Sequence, residues 1–350
     1  MKNMFTKTTA IAAMLVAGFA VGTPDAEAKK VRWKMHSAFG KNVAVIGEPP
    51  HRIADMVNRM SGGDFDIKVF EPGALAGGYA YYDPVSQGGF EAAWGTPGAN
   101  QGKNSAFAFA STWPFGPGAL EFNAWMMDAG GEAMVRDFYA RDGIHYMYCG
   151  MIPPETSGWF RTEITSLDQL KGLKMRFFGM GAMVMQKFGV STQQLAGGDI
   201  YPALELGTID ATEFSMPAID RTLGFHQIAK FNYFPGWHQQ STTNEILVNK
   251  AKFDALPDDK RAMLEVACKA NIPYMLANGE SMQAKAMLAN EKDGVKNVRW
   301  SQEVLDTIEG KWKEVLADER AKNADVAAMM DSFEAFSKEY RIWADMGYLK

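Results

Sequence analysis

Two cysteines in 350 residues are too few for a disulfide framework, so an apolar core must hold this fold together. Cys149 and Cys268 both sit in apolar contexts, His145-Tyr146-Met147-Tyr148-Cys149 and Val266-Ala267-Cys268. That context reads as two buried free thiols behaving as small hydrophobes, with pairing as the alternative. The five histidines include no His-Glu-x-x-His or other metal-ligand spacing, and Cys-x-x-Cys is absent, which excludes the common zinc enzymes. Neither a Walker A loop nor a Gly-x-Ser-x-Gly elbow occurs. The nearest approach to a dinucleotide fingerprint is Gly179-Met180-Gly181, but Val184 stands where the third glycine belongs. The glycine pair reads instead as a tight turn into a helix. A net charge of -5 without a basic stripe argues against nucleic acid as a partner. Beyond the N-terminus, no apolar run approaches the ~20 residues needed to span a bilayer.

What the sequence does contain begins with an export signal. Lys2 and Lys7 precede an apolar stretch from Thr8 to Gly22, and Ala26-Glu27-Ala28 has the small residues of a cleavage site. Residues 1–28 read as a signal peptide and place the mature chain in the periplasm, which turns the search toward a soluble small-molecule role. The mature length exceeds what one hydrophobic core usually organises, and two lobes are expected. Val31, Trp33 and Met35 alternate like a strand, Ile53, Met56, Val57 and Met60 recur at helical spacing, and Phe65, Ile67 and Val69 alternate again. This βαβ unit opens a first α/β lobe over residues 29–150, with a further strand at Phe90–Trp94.

Regular patterning breaks at Pro153-Pro154, where the chain is expected to cross to a second, smaller α/β lobe at 151–237. Strands are predicted there at Leu173–Phe178 and Ile209–Phe214, and helices at Gly181–Phe188 and Ile200–Leu206. Residues 238–350 are expected to return to the first lobe and finish as long helices, the first starting at Pro257-Asp258-Asp259. In the last helix Phe333, Phe336, Tyr340 and Trp343 form one apolar stripe, expected to pack on its own chain rather than exchange between subunits. Together these features predict an α/β fold of two hinged lobes with long C-terminal helices and a ligand held between the lobes.

Three runs carry a resemblance: Glu155-Thr156-Ser157-Gly158-Trp159-Phe160-Arg161, Leu170-Lys171-Gly172-Leu173-Lys174-Met175-Arg176, and Tyr201-Pro202-Ala203-Leu204-Glu205-Leu206-Gly207 continuing to Phe214. The chain resembles the solute-binding subunits of tripartite ATP-independent periplasmic (TRAP) transporters. Tyr233-Phe234-Pro235-Gly236-Trp237-His238-Gln239 is similar to the branch that binds 2-oxo and 2-hydroxy monocarboxylates with a cation. The resemblance implies the periplasmic-binding-protein clamshell, no enzymatic activity, and membrane permease subunits as partners.

It also assigns roles. Arg176 is implied to fork onto the substrate carboxylate, for which a guanidinium has matching parallel donors; the competing reading is a structural arginine paired with a carboxylate of its own lobe. Glu213, the Phe214 carbonyl and Gln239 are implied to hold the cation, an oxygen-only set suited to Ca²⁺ or Na⁺. Glu155 departs from the branch, which more often has an amide there. With Glu155, Glu213 and the ligand all ionised, Arg176 and Na⁺ leave one negative charge over, so Ca²⁺ is favoured. Trp94, Phe177, Phe178 and Trp237 are expected to flank the cleft, with Thr96 meeting the ligand from the first lobe. Two other readings stay open: a binding protein for a dicarboxylate, sulfonate or sugar acid, and a carbohydrate-active enzyme using Glu155 and Glu213 as acid and base.

Overall fold

The computed structural model describes residues 30–349, so the predicted signal peptide lies outside the described residues. The chain lays down β1 (Val31–Ser37), β2 (Phe65–Phe70), β3 (Ala92–Gly95) and β4 (Ile144–Ile152), then β5 (Gly158–Phe160), β6 (Lys174–Arg176), β7 (Ser191–Gln193), β8 (Ala211–Thr212) and β9 (Phe231–Phe234), and last β10 (Thr242–Asn249) and β11 (Lys296–Arg299). They form two sheets, ordered β2-β1-β3-β10-β4 and β11-β9-β5-β8-β6-β7. In the first sheet β1 runs parallel to β2 and β3, while β10 is antiparallel to both β3 and β4. The crossing after β4 falls at Pro153-Pro154. Residues 238–350 do not simply return to the first lobe: β10 does, but β11 pairs in parallel with β9 and extends the second sheet.

The helix Asp258–Lys292 has 35 residues, about 52 Å of rise, and packs on β4 in one lobe and on the helix Pro217–Thr222 in the other. No helix among the described residues is long and apolar enough to cross a membrane. The apolar stripe of the last helix (Ala324–Gly347) divides. Phe333 packs edge-on against Trp113 and Trp125, whereas Trp343 is 61% exposed, so only the first half of the stripe packs as expected.

The expectation of free thiols is overturned, because Cys149 and Cys268 form a disulfide that fastens β4 to the long helix. The pairing of β4 with β10 slips between Asn244 and Glu245, and Cys149 is the residue left without a partner on β10. Its carbonyl accepts instead from Asn271 Nδ2 of the same helix, at 2.8 Å. An apolar context fits a buried disulfide as well as it fits a buried thiol, and these positions lie 119 residues apart, so only the fold decides.

On β10, Glu245 is wholly buried, and it forms no salt bridge among the described residues. Its Oε1 accepts from Tyr81 Oη (3.1 Å) and Asn100 Nδ2 (3.2 Å), and its Oε2 has no partner. Burial pushes this carboxyl up to about 8 despite the Tyr139, Tyr81 and Asn100 hydrogen bonds. The folded protein therefore holds a proton that the unfolded chain releases near the ordinary carboxylate value of 4.5, and stability falls as pH rises from about 4.5 to about 8. Glu245→Gln is expected to remove that slope. Its stability relative to wild type should climb by up to roughly 4 kcal/mol across the window in urea titrations, on the scale of about 1.4 kcal/mol per pKa unit. A constant difference between the two proteins from pH 5 to pH 8 would show that Glu245 keeps an ordinary pKa.

Candidate functional site

The strands aim their ends at one place. Thr96 follows β3, Glu155 follows β4, Arg176 ends β6, Glu213 follows β8, and Gln239 leads into the start of β10. This is the crevice outside the carboxyl ends of the strands, where open α/β sheets carry their ligands. A narrow cavity lies there between the lobes. Phe39, Ile46, Tyr79, Thr96 and Asn244 line it from the first lobe, and Glu155, Arg176, Phe178, Phe214 and Ser215 from the second. The lobes also meet directly, Gln101 Nε2 donating to Gln194 Oε1 at 3.0 Å.

Arg176 is 1% exposed and held from several sides. Its Nη1 donates to the Glu213 carbonyl (2.6 Å) and to Glu213 Oε1 (2.7 Å), and its Nε to the Leu195 carbonyl (3.2 Å). Arg176 therefore pairs with a carboxylate of its own lobe and also lines the cavity, so the two sequence-based readings of it are both realised in part. Glu213 Oε1 accepts the Phe178 backbone N–H as well. Burial alone would raise the Glu213 pKa, but Arg176, His238 and that N–H outweigh it and hold the carboxyl below its ordinary value.

Glu155 is placed by a clamp of backbone bonds. Its N–H donates to the Gln239 carbonyl (3.2 Å), and its carbonyl accepts from Gly236 N–H (3.0 Å). A Cβ on Gly236 would stand 2.4 Å from that carbonyl, so the close approach demands glycine. Ser215 Oγ donates to Glu155 Oε1 at 3.2 Å, while Oε2 has no hydrogen-bond partner. Burial, helped by the nearby Glu213 charge, raises this carboxyl to about 7 against the pull of His238 and Ser215.

His238 is the residue that reading the sequence missed. Its Nε2 lies 3.3 Å from Glu213 Oε2 and 3.6 Å from Glu155 Oε2. Burial lowers its pKa, but the two carboxylates prevail and lift it to about 9. Glu155, Glu213 and His238 form the only cluster of metal-ligating side chains among the described residues. A search for metal-ligand spacing passes over His238, because its two partners lie 83 and 25 residues upstream; its position in the Pro-Gly-Trp-His-Gln segment was the available signal. His238 also alters the charge count. Protonated, His238 adds a positive charge to that of Arg176, so a monovalent ion balances the same site.

The donor set fits a hard cation. Glu155 Oε2 and Gln239 Oε1 are buried oxygens without hydrogen-bond partners, and His238 Nε2 lies within reach of both Glu155 Oε2 and Glu213 Oε2. Gln239 is oriented by its own Nε2, which donates to Thr242 Oγ1 at 2.7 Å. Thr96 lines the cavity with its Oγ1 bonded to Ser111 Oγ (2.6 Å) and to the Thr243 carbonyl (3.0 Å). The aromatic contacts differ in part from those predicted. Phe177 and Trp237 pack on each other and on His238 outside the cavity lining, and Trp94 donates its indole N–H to the Ile46 carbonyl from behind the wall. The expected Phe178 stands in the lining, with Phe39, Tyr79 and Phe214 beside it. Of Phe177 and Phe178, both expected at the cleft, Phe178 lines the cavity, because adjacent residues beyond the end of β6 point to opposite sides.

Comparison with known proteins agrees with this geometry. A monocarboxylate 2-oxoacid-binding periplasmic protein of Nostoc sp. is 33% identical over 315 residues, covering 89% of this chain and 86% of the relative. A TRAP transporter solute-binding protein of Bordetella bronchiseptica RB50, crystallised with copurified calcium and picolinate, superposes with a TM-score of 0.88 at 33% identity, covering 91% of this chain and 95% of that one. Its counterpart from Pseudoalteromonas atlantica T6c, with bound sodium and pyruvate, gives 0.86 at 30% identity, with 91% and 97% covered. Residues 41–323 match the model of the bacterial extracellular solute-binding proteins, family 7. A cavity between two α/β lobes, a buried arginine at its floor and this breadth of likeness lead to one assignment: the chain belongs to family 7 of the bacterial extracellular solute-binding proteins, the solute-binding subunits of TRAP transporters.

Proposed function

We propose that this protein is the exported subunit that captures a 2-oxo or 2-hydroxy monocarboxylate together with a cation in the periplasm and hands it to membrane permease subunits, without chemical turnover. The observation that carries the reading is Arg176 buried at the cavity beside unpartnered oxygens of Glu155 and Gln239. The hydrogen bonds of Arg176 to Glu213 and Leu195 use Nη1 and Nε, so a ligand carboxylate would meet the guanidinium at Nη2, with the Tyr79 hydroxyl beside it. Glu213, the Phe214 carbonyl and Gln239, joined by Glu155 Oε2, would hold the cation against the ligand's oxygens. The cation supplies charge neutralisation and orientation, and either valence fits: Na⁺ with His238 protonated, Ca²⁺ with His238 neutral. A single guanidinium favours one carboxylate over two. Glu155 and Glu213 share one imidazole nitrogen, which leaves no space between them for a glycosidic bond and disfavours an acid–base pair.

The test is thermal unfolding of metal-stripped protein with pyruvate, succinate, a hexose or an amine, with Na⁺, Ca²⁺ or neither. Binding to the folded state alone stabilises by about 4 kcal/mol at a thousandfold excess over Kd, so a clear rise in Tm is expected with pyruvate and only with a cation present. A rise with the hexose or the amine and none with the acids overturns the reading.

A further inference from the structure

Residues 96–101 of the first lobe, which follow β3, meet both the cavity and the second lobe. Thr96 lines the cavity, a Cβ on Gly98 would stand 2.6 Å from the Phe178 ring of the second lobe, and Gln101 Nε2 donates across to Gln194 Oε1 at 3.0 Å. The segment is thus a closing face, pressed on the other lobe so tightly at Gly98 that no side chain fits between. Behind it lies the carboxyl of Glu245, which reaches the segment at both ends. At the far end Asn100 Nδ2 donates to Glu245 Oε1 at 3.2 Å. At the near end the Tyr81 hydroxyl lies 3.1 Å from Glu245 Oε1 and 3.1 Å from the Thr96 carbonyl. Burying a carboxyl without a cation is unfavourable, and here it happens at the point from which both ends of the closing face are held.

We infer that Glu245 is the positioning residue of this closing face: through Tyr81 and Asn100 it holds residues 96–101 in the shape that receives the second lobe around a bound ligand. The inference rests on the proposed function. The Tyr81 hydroxyl has one hydrogen for two acceptors. A neutral Glu245 leaves it to the Thr96 carbonyl, whereas an ionised one draws it away, because a charged acceptor makes the stronger hydrogen bond. Losing the Glu245 proton therefore loosens the near end of the segment. Four tyrosines face the carboxyl: Tyr81 and Tyr82 at the start of the helix Tyr82–Ser86, Tyr139 from the helix Gly131–Ala140, and Tyr146 from β4. Burial holds all four hydroxyls above their ordinary value. His36 lies beyond Tyr81, ring centroids 5.9 Å apart, and burial holds it below its own. Glu245 is the group of this cluster that changes charge as pH passes about 8.

Calorimetric titration of wild type, Glu245→Gln, Glu245→Leu and Tyr81→Phe with pyruvate, in the cation that supports binding, tests this, with urea midpoints measured alongside. One net hydrogen bond corresponds to about fivefold in affinity. At pH 6, Tyr81→Phe is expected to weaken binding about fivefold and Glu245→Leu by about fivefold or more. Glu245→Gln keeps the shape and the acceptor, and should rescue binding to within about twofold of wild type. From pH 6 to pH 9 the wild-type Kd should rise about fivefold relative to that of Glu245→Gln. Glu155 and His238 titrate in both proteins, so this ratio isolates Glu245. A merely structural role would lower the urea midpoints and leave the Kd values alike, and that result overturns the inference, as does a ratio that stays constant with pH. If Glu245→Leu does not fold, Tyr81→Phe and the pH ratio decide. Equal binding by wild type and all variants defeats only the role of Glu245; failure of wild type to bind pyruvate in either Na⁺ or Ca²⁺ defeats the proposed function and the inference with it.

Discussion

Arg176→Met is expected to destabilise the ligand-free protein by roughly 3–5 kcal/mol and to abolish stabilisation by 2-oxo acids. The first effect comes from Glu213, which is fully buried and ion-paired to Arg176 at 2.7 Å. Removing the guanidinium leaves a carboxylate out of water with only the Phe178 N–H and His238 to hold it. His238 is 3.3 Å away, which places the loss toward the lower end of the range. Urea titration measures it. Adding Glu213→Gln in the same chain should restore most of the stability, because the unpaired charge is then gone, but should not restore ligand binding. Recovery of both by the double variant would mean that Arg176 serves the fold alone, and no loss in the single variant would mean that Glu213 is already neutral.

The same pair marks the limit of what the sequence makes legible. Strand and helix periods place β1, β2, β4 and the long C-terminal helices well, because those elements are long and face one core each. The strands that carry Arg176 and Glu213, β6 and β8, are three and two residues long, too short to show a period. Arg176 and Glu213 are accessible to reasoning only through the runs around them. Their mutual contact, across 37 residues, is set by the parallel pairing of β6 with β8. His238 was invisible for a related reason: a lone histidine beside Trp237 carries no spacing signal, and its meaning comes from two carboxylates brought in by other strands. Phe177 and Phe178 were both expected at the cleft, but adjacent residues at a strand end point opposite ways, and of the two only Phe178 lines the cavity. Trp94 was placed next to the ligand and in fact stands one layer behind, against the Ile46 carbonyl.

Removing the Cys149–Cys268 bond is expected to cost about 5 kcal/mol at most, and its effect should fall on unfolding rather than on the ligand site. The ceiling follows from loop closure: the bond joins residues 119 apart, and releasing a loop of that length returns the most entropy to the unfolded chain. The enclosed segment contains β5 to β9, so the bond ties together the strand that leads into the second lobe and the helix that follows the return from it. Cys149→Ala with Cys268→Ala should therefore unfold at lower urea concentration, with an unchanged transition midpoint arguing that the cross-link contributes little beyond packing. Both cysteines are at most 1% exposed, which predicts that a thiol reductant attacks only after opening. In native buffer the release of free thiols should then follow the unfolding rate and slow when ligand is added, since a ligand bound between the lobes opposes the opening that exposes the bond. Reduction at the same rate with and without ligand would place the opening in the first lobe alone, around β4 and the long helix, independent of the second.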